Sequence, residues 1–512
     1  MNIGLIALKT QKILLFFYVR QFNNYIYIRK TKPPLKLQKF NTSFYENLTL
    51  FSIPFLIVFT LRILGFDGLY GQDSYEYLRY TNAIQEYLTT GIHPGNYFWP
   101  VLYPTLGSLF GFLFGSAAFA LQFISCLSFS LVCVYTLKTI RLLYPNGQFR
   151  FFYVLIFAVF CPFLLKMGLI VMSDALALFF VVLVFYFFFK SYHKNTSLSP
   201  IFIFATCALM TRYASLFITF PIIIYVLFLV FKRNKYRQFI IACGLSFFAA
   251  IPFLIFQWGA LFEASSNSFL KAWSFGNYFK SSFTTGDGAS NFTLPNLMYT
   301  CYLFFHPGFI FIGFILSLIT LKKYKTLLAF HQKILLICSA LYIFFLAGIP
   351  FQNPRVLGLV FPLILILLFP AFARLMRVKL IKQFFIPIGI VCVGLQLAFF
   401  SMTFQLIYSR TIAEKELATM IQPYEGATLY SFDIDLAMQG RGLDFEYKNM
   451  FMERYEKFHS TDLILFDPAR YEVQWNDKTP MQNWEFIEQH YELKILETHP
   501  EGWKLYQIQS KK

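Results

Sequence analysis

Carboxylates are scarce in the first 409 residues of this chain. Eight occur there: Glu46, Asp67, Asp73, Glu76, Glu86, Asp174, Glu263 and Asp287. A carboxylate in or beside an apolar segment is costly to place, so each is a functional-site candidate by default. The densest run is 66–80, which holds Asp67, Asp73 and Glu76 among Tyr70, Tyr75, Tyr77 and Tyr80. Asp73 and Glu76 have the Asp-x-x-Glu spacing of a capping box. The periodicity after them predicts an amphipathic helix over 73–88, with Tyr77, Tyr80, Ile84 and Leu88 on one face. A helix lying on a membrane surface has that pattern. Capping and a substrate-facing role are compatible for these two acids. Asp174 follows Ser173 at the start of an apolar run. It either completes a helix start, complementing the dipole, or faces a substrate.

Three basic groups complete the set. Arg212 and Arg355 fall at the ends of apolar runs opposite to those that carry the other basic residues. A guanidinium there can grip a phosphate bidentately or cap backbone carbonyls. His306 precedes Pro307-Gly308 inside an apolar run, where it either packs or hydrogen-bonds a phosphate. His93 stands alone. Trp99 and the tyrosines of 97–104 match an interfacial aromatic belt. Phosphate-loop, dinucleotide-turn, His-Glu-x-x-His and Gly-x-Ser-x-Gly signatures are absent from the sequence. ATP-driven work by this chain alone is therefore not expected.

The elements that must position these groups are apolar helices. Apolar types make up 57% of the 512 residues and charged types 14%, against about 25% charged in a soluble domain. Mean hydropathy is +0.55. With about 20 residues needed per crossing, eleven spans are expected: 48–66, 115–137, 151–166, 174–190, 199–211, 214–231, 238–256, 297–320, 334–350, 356–373 and 384–403. The short stretch 199–211 is the weakest of them, and 100–114 reads as a re-entrant or interfacial helix. The intervening loops alternate between strongly basic and nearly neutral or acidic. The positive-inside rule puts the basic set, including the segment 1–47, in the cytoplasm. Residues 67–100 then form the first external loop.

Net charge is +18 overall. It is about +24 before residue 410 and −6 after it. The basic residues sit between apolar runs, so topology accounts for them and nucleic-acid binding is not expected. The eight cysteines lie in or beside apolar segments without metal-type spacing. The segment 1–46 lacks a signal-peptide pattern. Residues 410–512 change style. Strands are expected at 428–433 and 462–467, helices at 449–458 and 483–491, and a hairpin from 492–498 and 502–508 around Pro500 and Gly502. That order predicts a small α/β domain on the extracytoplasmic side.

Four features together resemble the GT-C superfamily, membrane glycosyltransferases that use polyprenyl-phosphate-linked sugars. They are the acid followed by a tyrosine-bearing helix at 73–80, the aromatic and proline-rich stretch 97–104, Ser173-Asp174-Ala175-Leu176-Ala177 at a span start, and Arg355 in a late external loop. The likeness is greatest to bacterial relatives of the protein O-mannosyltransferases and the lipid A aminoarabinose transferases. It implies a polytopic α-helical GT-C-like enzyme of a bacterial inner membrane, with the site on the external face. In that scheme Asp73 is the base, with Asp67 and Glu76 the other first-loop acids. Asp174 positions the acceptor or a divalent metal, and Arg212, Arg355 and His306 contact the lipid phosphate. The acceptor is a lipid, glycan or protein. One departure stands out: many relatives have adjacent Asp-Glu in the first loop, and here Ser74 follows Asp73. A secondary transporter or flippase, or a polysaccharide polymerase or ligase, are the other classes to weigh. No internal repeat of the transporter kind is present, and the loop 257–296 is not strongly basic.

Overall fold

Among the described residues, length and apolarity single out seven helices able to cross a bilayer. They are Thr42–Ile63, Ala117–Leu143, Asp174–Lys194, Ser215–Lys232, Tyr236–Phe256, Phe330–Ala347 and a long helix beginning at Phe385. The computed structural model describes residues 42–257, 271–285, 288–323 and 328–512. The expected basic segment before residue 42, together with Glu263 and Asp287, lies outside the described residues. Residues 50–512 form one compact unit.

The expectation of eleven full spans is not met helix by helix. The stretch around 151–166 is a bent pair, Arg150–Val159 and Pro162–Leu169, broken by 66°. A π-helical turn at Leu155–Val159 and Pro162 at the next helix start account for the bend. Ser199–Thr211, Gly313–Lys322 and Phe361–Leu375 are shorter apolar helices, as is Leu102–Phe114. Thirteen residues in Ser199–Thr211 rise about 20 Å, less than the hydrocarbon core. Ile240, Phe247 and Phe248 stand exposed on one helix, and Leu395, Met402 and Leu406 on another. Apolar surface of that extent belongs against lipid, and the chain is an integral membrane protein.

The last long helix, Phe385–Ile421, has 37 residues, about 55 Å of rise. It continues through the boundary expected at 410. Its final turns bury Arg410, Thr411, Glu414, Leu417 and Ile421, so it enters the C-terminal domain as a rigid strut.

That domain is built on a five-stranded sheet. The strands are β1 Thr428–Ser431, β2 Glu446–Asn449, β3 Leu463–Phe466, β4 Tyr491–Thr498 and β5 Lys504–Lys511, ordered β2-β1-β3-β5-β4. β1 runs parallel to β2 and β3, while β5 is antiparallel to β3 and β4. Leu429, Ile464, Leu465, Leu505 and Trp484 fill the core. The two expected strands and the hairpin are present, and the helix expected at 483–491 is Thr479–His490.

The helix expected at 449–458 is not formed. Asn449 ends β2, and its Oδ1 accepts from the backbone N–H of Phe451 at 2.8 Å. Asn483 then pins the following stretch. Its amide donates to the carbonyls of Met450 and Glu453, both at 2.8 Å, and its Oδ1 accepts from Tyr455 N. These bonds take the backbone groups a helix would have used.

Candidate active site

The expected first-loop helix is real and spans Gly71–Thr90. Tyr77, Tyr80 and Ile84 are buried on one face as expected, but Leu88 is exposed. The capping box is not formed. The N-cap is Tyr70, with no side-chain cap bond. Asp73 sits within the first turn, and Glu76 takes Arg79 through two bonds of 2.6 Å. Asp73 is therefore free to look outward.

Ser74 fixes where Asp73 points. Its hydroxyl donates to the Val171 carbonyl at 3.0 Å, and Val171 N donates to the Gly68 carbonyl at 2.8 Å. Gly68 has φ +91° and lies so close to Gln122 that a Cβ would fall 2.7 Å from it. These contacts lock the helix start against the turn before Asp174. Tyr77 closes the joint with a 2.7 Å hydroxyl bond to Ser173. Burial pushes the Tyr77 phenol up to about 12, so it serves as a neutral hydrogen-bonding group. Ser173 holds Tyr77 rather than capping its own helix.

The aromatic stretch 97–104 is not a belt. Tyr97 and Tyr103 are buried, and Trp99 stacks on Tyr77 with centroids 5.3 Å apart. The Gln257 amide gathers the Tyr97 and Trp99 carbonyls at 2.9 and 2.7 Å. The stretch backs the first-loop helix.

Arg355 joins the two acids. It lies in the short helix Pro354–Leu357, where Asn353 Oδ1 accepts from Arg355 N. Its Nη2 meets Asp73 Oδ2 at 3.0 Å, and its Nε meets Asp174 Oδ2 at 3.3 Å. Arg212, at the end of Ser199–Thr211, reaches Asp174 Oδ1 at 2.5 Å. Asp174 is the first residue of its helix, where the dipole favours its charge. Burial opposes the charge on Arg355, but the Asp174 and Asp73 carboxylates outweigh it and raise its pKa further. The exposures are graded. Asp73 is 38% accessible, Arg355 26%, Arg212 21% and Asp174 1%. The outer acid and its arginine line a cavity of about 1060 Å³ together with Glu76. Its far wall is Phe432, Asp433 and Trp475 of the C-terminal domain.

Two expected site residues fall elsewhere. Asp67 binds Lys415 at 3.1 Å and Arg441 at 3.2 Å, in a second ionic cluster. His306 stacks on Tyr302 and Phe163 at 4.6 and 5.3 Å, and its Nδ1 accepts from Gly308 N. Its described contacts do not include the Asp73–Arg355–Asp174–Arg212 set.

The second cluster is not apparent from sequence. Glu414 accepts from Arg410 at 2.7 Å and from Tyr75 at 2.7 Å, and pairs with Arg441 at 3.4 Å. The i, i+4 spacing of Arg410 and Glu414 at the end of an apolar run is its one available signal. As for a divalent metal, no three His, Cys, Asp or Glu side chains group as ligands among the described residues. Asp73 and Asp174 each face a guanidinium instead, so the donor set does not fit a metal.

Known proteins resemble this chain in part of its sequence and in its fold. Residues 99–258 match the family of dolichyl-phosphate-mannose-protein mannosyltransferases. That stretch holds Asp174 and Arg212. The structure of ArnT from Cupriavidus metallidurans in the apo state superposes with a TM-score of 0.56 at 12% identity, covering 90% of this chain and 97% of that one. The same protein bound to undecaprenyl phosphate gives 0.55 at 12% identity, with the same coverage. The fold is that of the GT-C glycosyltransferases. The apo oligosaccharyltransferase of Archaeoglobus fulgidus shares this GT-C architecture, with a TM-score of 0.53 at 14% identity, covering 92% of this chain and 75% of that one. No curated protein matches the chain significantly in sequence. The resemblance read from the four sequence features is thus a resemblance of the whole fold.

Proposed function

We propose that this chain is a membrane glycosyltransferase. It moves a sugar from a polyprenyl-phosphate donor to an acceptor hydroxyl on the extracytoplasmic face. The observation that carries this is the graded ionic set. A half-exposed carboxylate, Asp73, faces a large cavity and is joined through Arg355 to a buried carboxylate and a second arginine. Support for the donor class comes from the fold shared with ArnT, a structure of which holds undecaprenyl phosphate.

Asp73 takes the proton of the acceptor hydroxyl as its oxygen bonds to the anomeric carbon. The bond from that carbon to the phosphate oxygen breaks, and the polyprenyl phosphate leaves with the electron pair. The carbon passes through an oxocarbenium-like state. Arg355 and Arg212 offset the developing phosphate charge, which is the largest kind of contribution a preorganised site makes. Asp174 is a positioning residue. It holds both guanidinium groups in place and touches no reacting atom. As Asp73 is neutralised by the proton, Arg355 loses one of its two anionic partners and turns its charge to the phosphate. Glu76 lies in the cavity beside the acceptor. The N-terminus is cytoplasmic, the C-terminal domain extracytoplasmic, and the membrane a bacterial inner membrane. The acceptor is a lipid, a glycan or a protein.

The test is transfer of radiolabelled sugar by the purified full chain in proteoliposomes. Label should move from a polyprenyl-phosphate sugar into an envelope extract and not from a nucleotide sugar. Transfer from the nucleotide sugar alone would overturn the donor assignment. Concentrative uptake of a solute without transfer would favour a transporter.

A further inference from the structure

One cation in the membrane region has no part in the mechanism above. Lys166 lies in the helix Pro162–Leu169, where every residue except Phe163 and Lys166 is buried. Those two are i and i+3, so they form one accessible stripe. Among the described residues, Lys166 makes no ion pair with a carboxylate. Its ammonium stands 5.6 Å from the Phe163 ring. His306 stacks on the same ring at 5.3 Å, so one aromatic ring carries both groups.

The surroundings are apolar and open. Phe399 of the long helix touches both Phe163 and His306, with centroids 6.3 and 5.4 Å away. Phe305, next to His306, is exposed, as is Leu395 on the long helix one turn from Phe399. Gln396, on that helix too, is buried with no hydrogen-bond partner for its amide among the described residues. The seam also has a definable depth. Five residues beyond Phe399, Phe404 packs on Phe66, and Tyr408 bonds the Leu64 carbonyl at the end of the first span. Five residues rise about 7–8 Å, so the seam lies just below that end of the span. A lone ammonium at this depth is expensive and calls for an anionic partner. The neighbouring residue Met167 packs under Gly358, three residues beyond Arg355.

We infer that Lys166 and His306 form a second anion station, which holds the phosphate of a lipid at the flank of the fold before or after it reaches Arg355. This rests on the lipid-phosphate reading of the main site and extends it. The ligand is a lipid phosphate with its chain lying along the apolar seam. It is either the polyprenyl phosphate or an ordinary anionic phospholipid.

The test is binding of undecaprenyl phosphate to the full chain in detergent, read by native mass spectrometry, with phosphatidylglycerol as the second probe. Wild type, Lys166→Gln, Lys166→Arg and Arg355→Gln are compared. Lys166→Gln should weaken undecaprenyl phosphate binding about 5–10-fold, with Lys166→Arg restoring most of it, since the station needs charge. A Lys166-dependent loss confined to phosphatidylglycerol identifies a phospholipid site and still supports an anion station. Unchanged binding of both probes in Lys166→Gln overturns it. If wild type binds no undecaprenyl phosphate, the main-site reading fails, and the phosphatidylglycerol arm alone decides the station. A folding defect is separated by the thermal midpoint, which Lys166→Arg should share with wild type.

Discussion

Two ionic clusters of similar composition flank the start of the first-loop helix, and they do different things. One joins Asp73, Asp174, Arg212 and Arg355. The other joins Asp67, Glu414 and Asp433 to Arg410, Lys415 and Arg441. Each is balanced in charge. The first grades from a buried acid to an accessible one at a cavity. The second is centred on Glu414, which is fully buried between two arginines and the Tyr75 hydroxyl. It ties the first-loop helix, the long strut and the C-terminal domain together. Charge and proximity to the cavity do not by themselves mark chemistry. Asp433 lines the cavity too, but it is occupied by Arg410 and by the Tyr471 hydroxyl at 3.0 Å. Asp433 is 32% accessible against 38% for Asp73, so exposure does not separate the clusters. Among the described residues the difference is that Arg410 and a tyrosine hydroxyl both hold Asp433, whereas Arg355 alone holds Asp73.

Changes to each cluster can break this distinction. Asp174→Asn has the largest expected effect. It leaves two arginines facing a group with no charge, which for a buried pair costs about 3–5 kcal/mol. Transfer should fall by about 10³-fold or more, with a lowered thermal midpoint in the same preparation. Glu414→Gln comes next and should separate the two roles. Stability should drop by about 2–4 kcal/mol, read by thermal unfolding, while the folded fraction keeps most of its kcat. A loss of kcat equal to that of the Asp174 variant would place catalysis in the second cluster. Glu76→Gln is the smallest. Its pair with Arg79 is partly exposed, and such pairs contribute about 0.2–1 kcal/mol. Its KM for acceptor should shift a few-fold at most.

Much of the first cluster is legible in the sequence because its members break local rules. Asp174 and the two arginines sit at apolar ends where nothing nearby balances them, and Asp73 leads a clear helical pattern. Asp67 cannot be told from Asp73 that way. Its partners Lys415 and Arg441 are more than 340 residues distant, and only the fold brings them in. Ser74 looks like the loss of an acid, yet it locks Asp73 in place through Val171. The false helix at 449–458 has the same origin, since Asn483 supplies the competing bonds from another element. His306 reads from sequence as a phosphate candidate or a packing residue. It stacks on Phe163 and Tyr302, away from Arg355, and the cation on the same Phe163 ring is inconspicuous because Lys166 ends an expected span, where snorkelling is ordinary.

The most direct measurement is sugar transfer from the polyprenyl-phosphate donor in proteoliposomes, comparing Asp73→Asn with Asp67→Asn at matched folded amounts. Asp73→Asn should lose about 10²–10⁴-fold in kcat, the usual worth of a general base, with an unchanged thermal midpoint. Asp67→Asn should lower the midpoint and keep kcat within a few-fold. Full activity in a well-folded Asp73→Asn protein, or a larger kcat loss in Asp67→Asn, would contradict the assignment of Asp73 as the base.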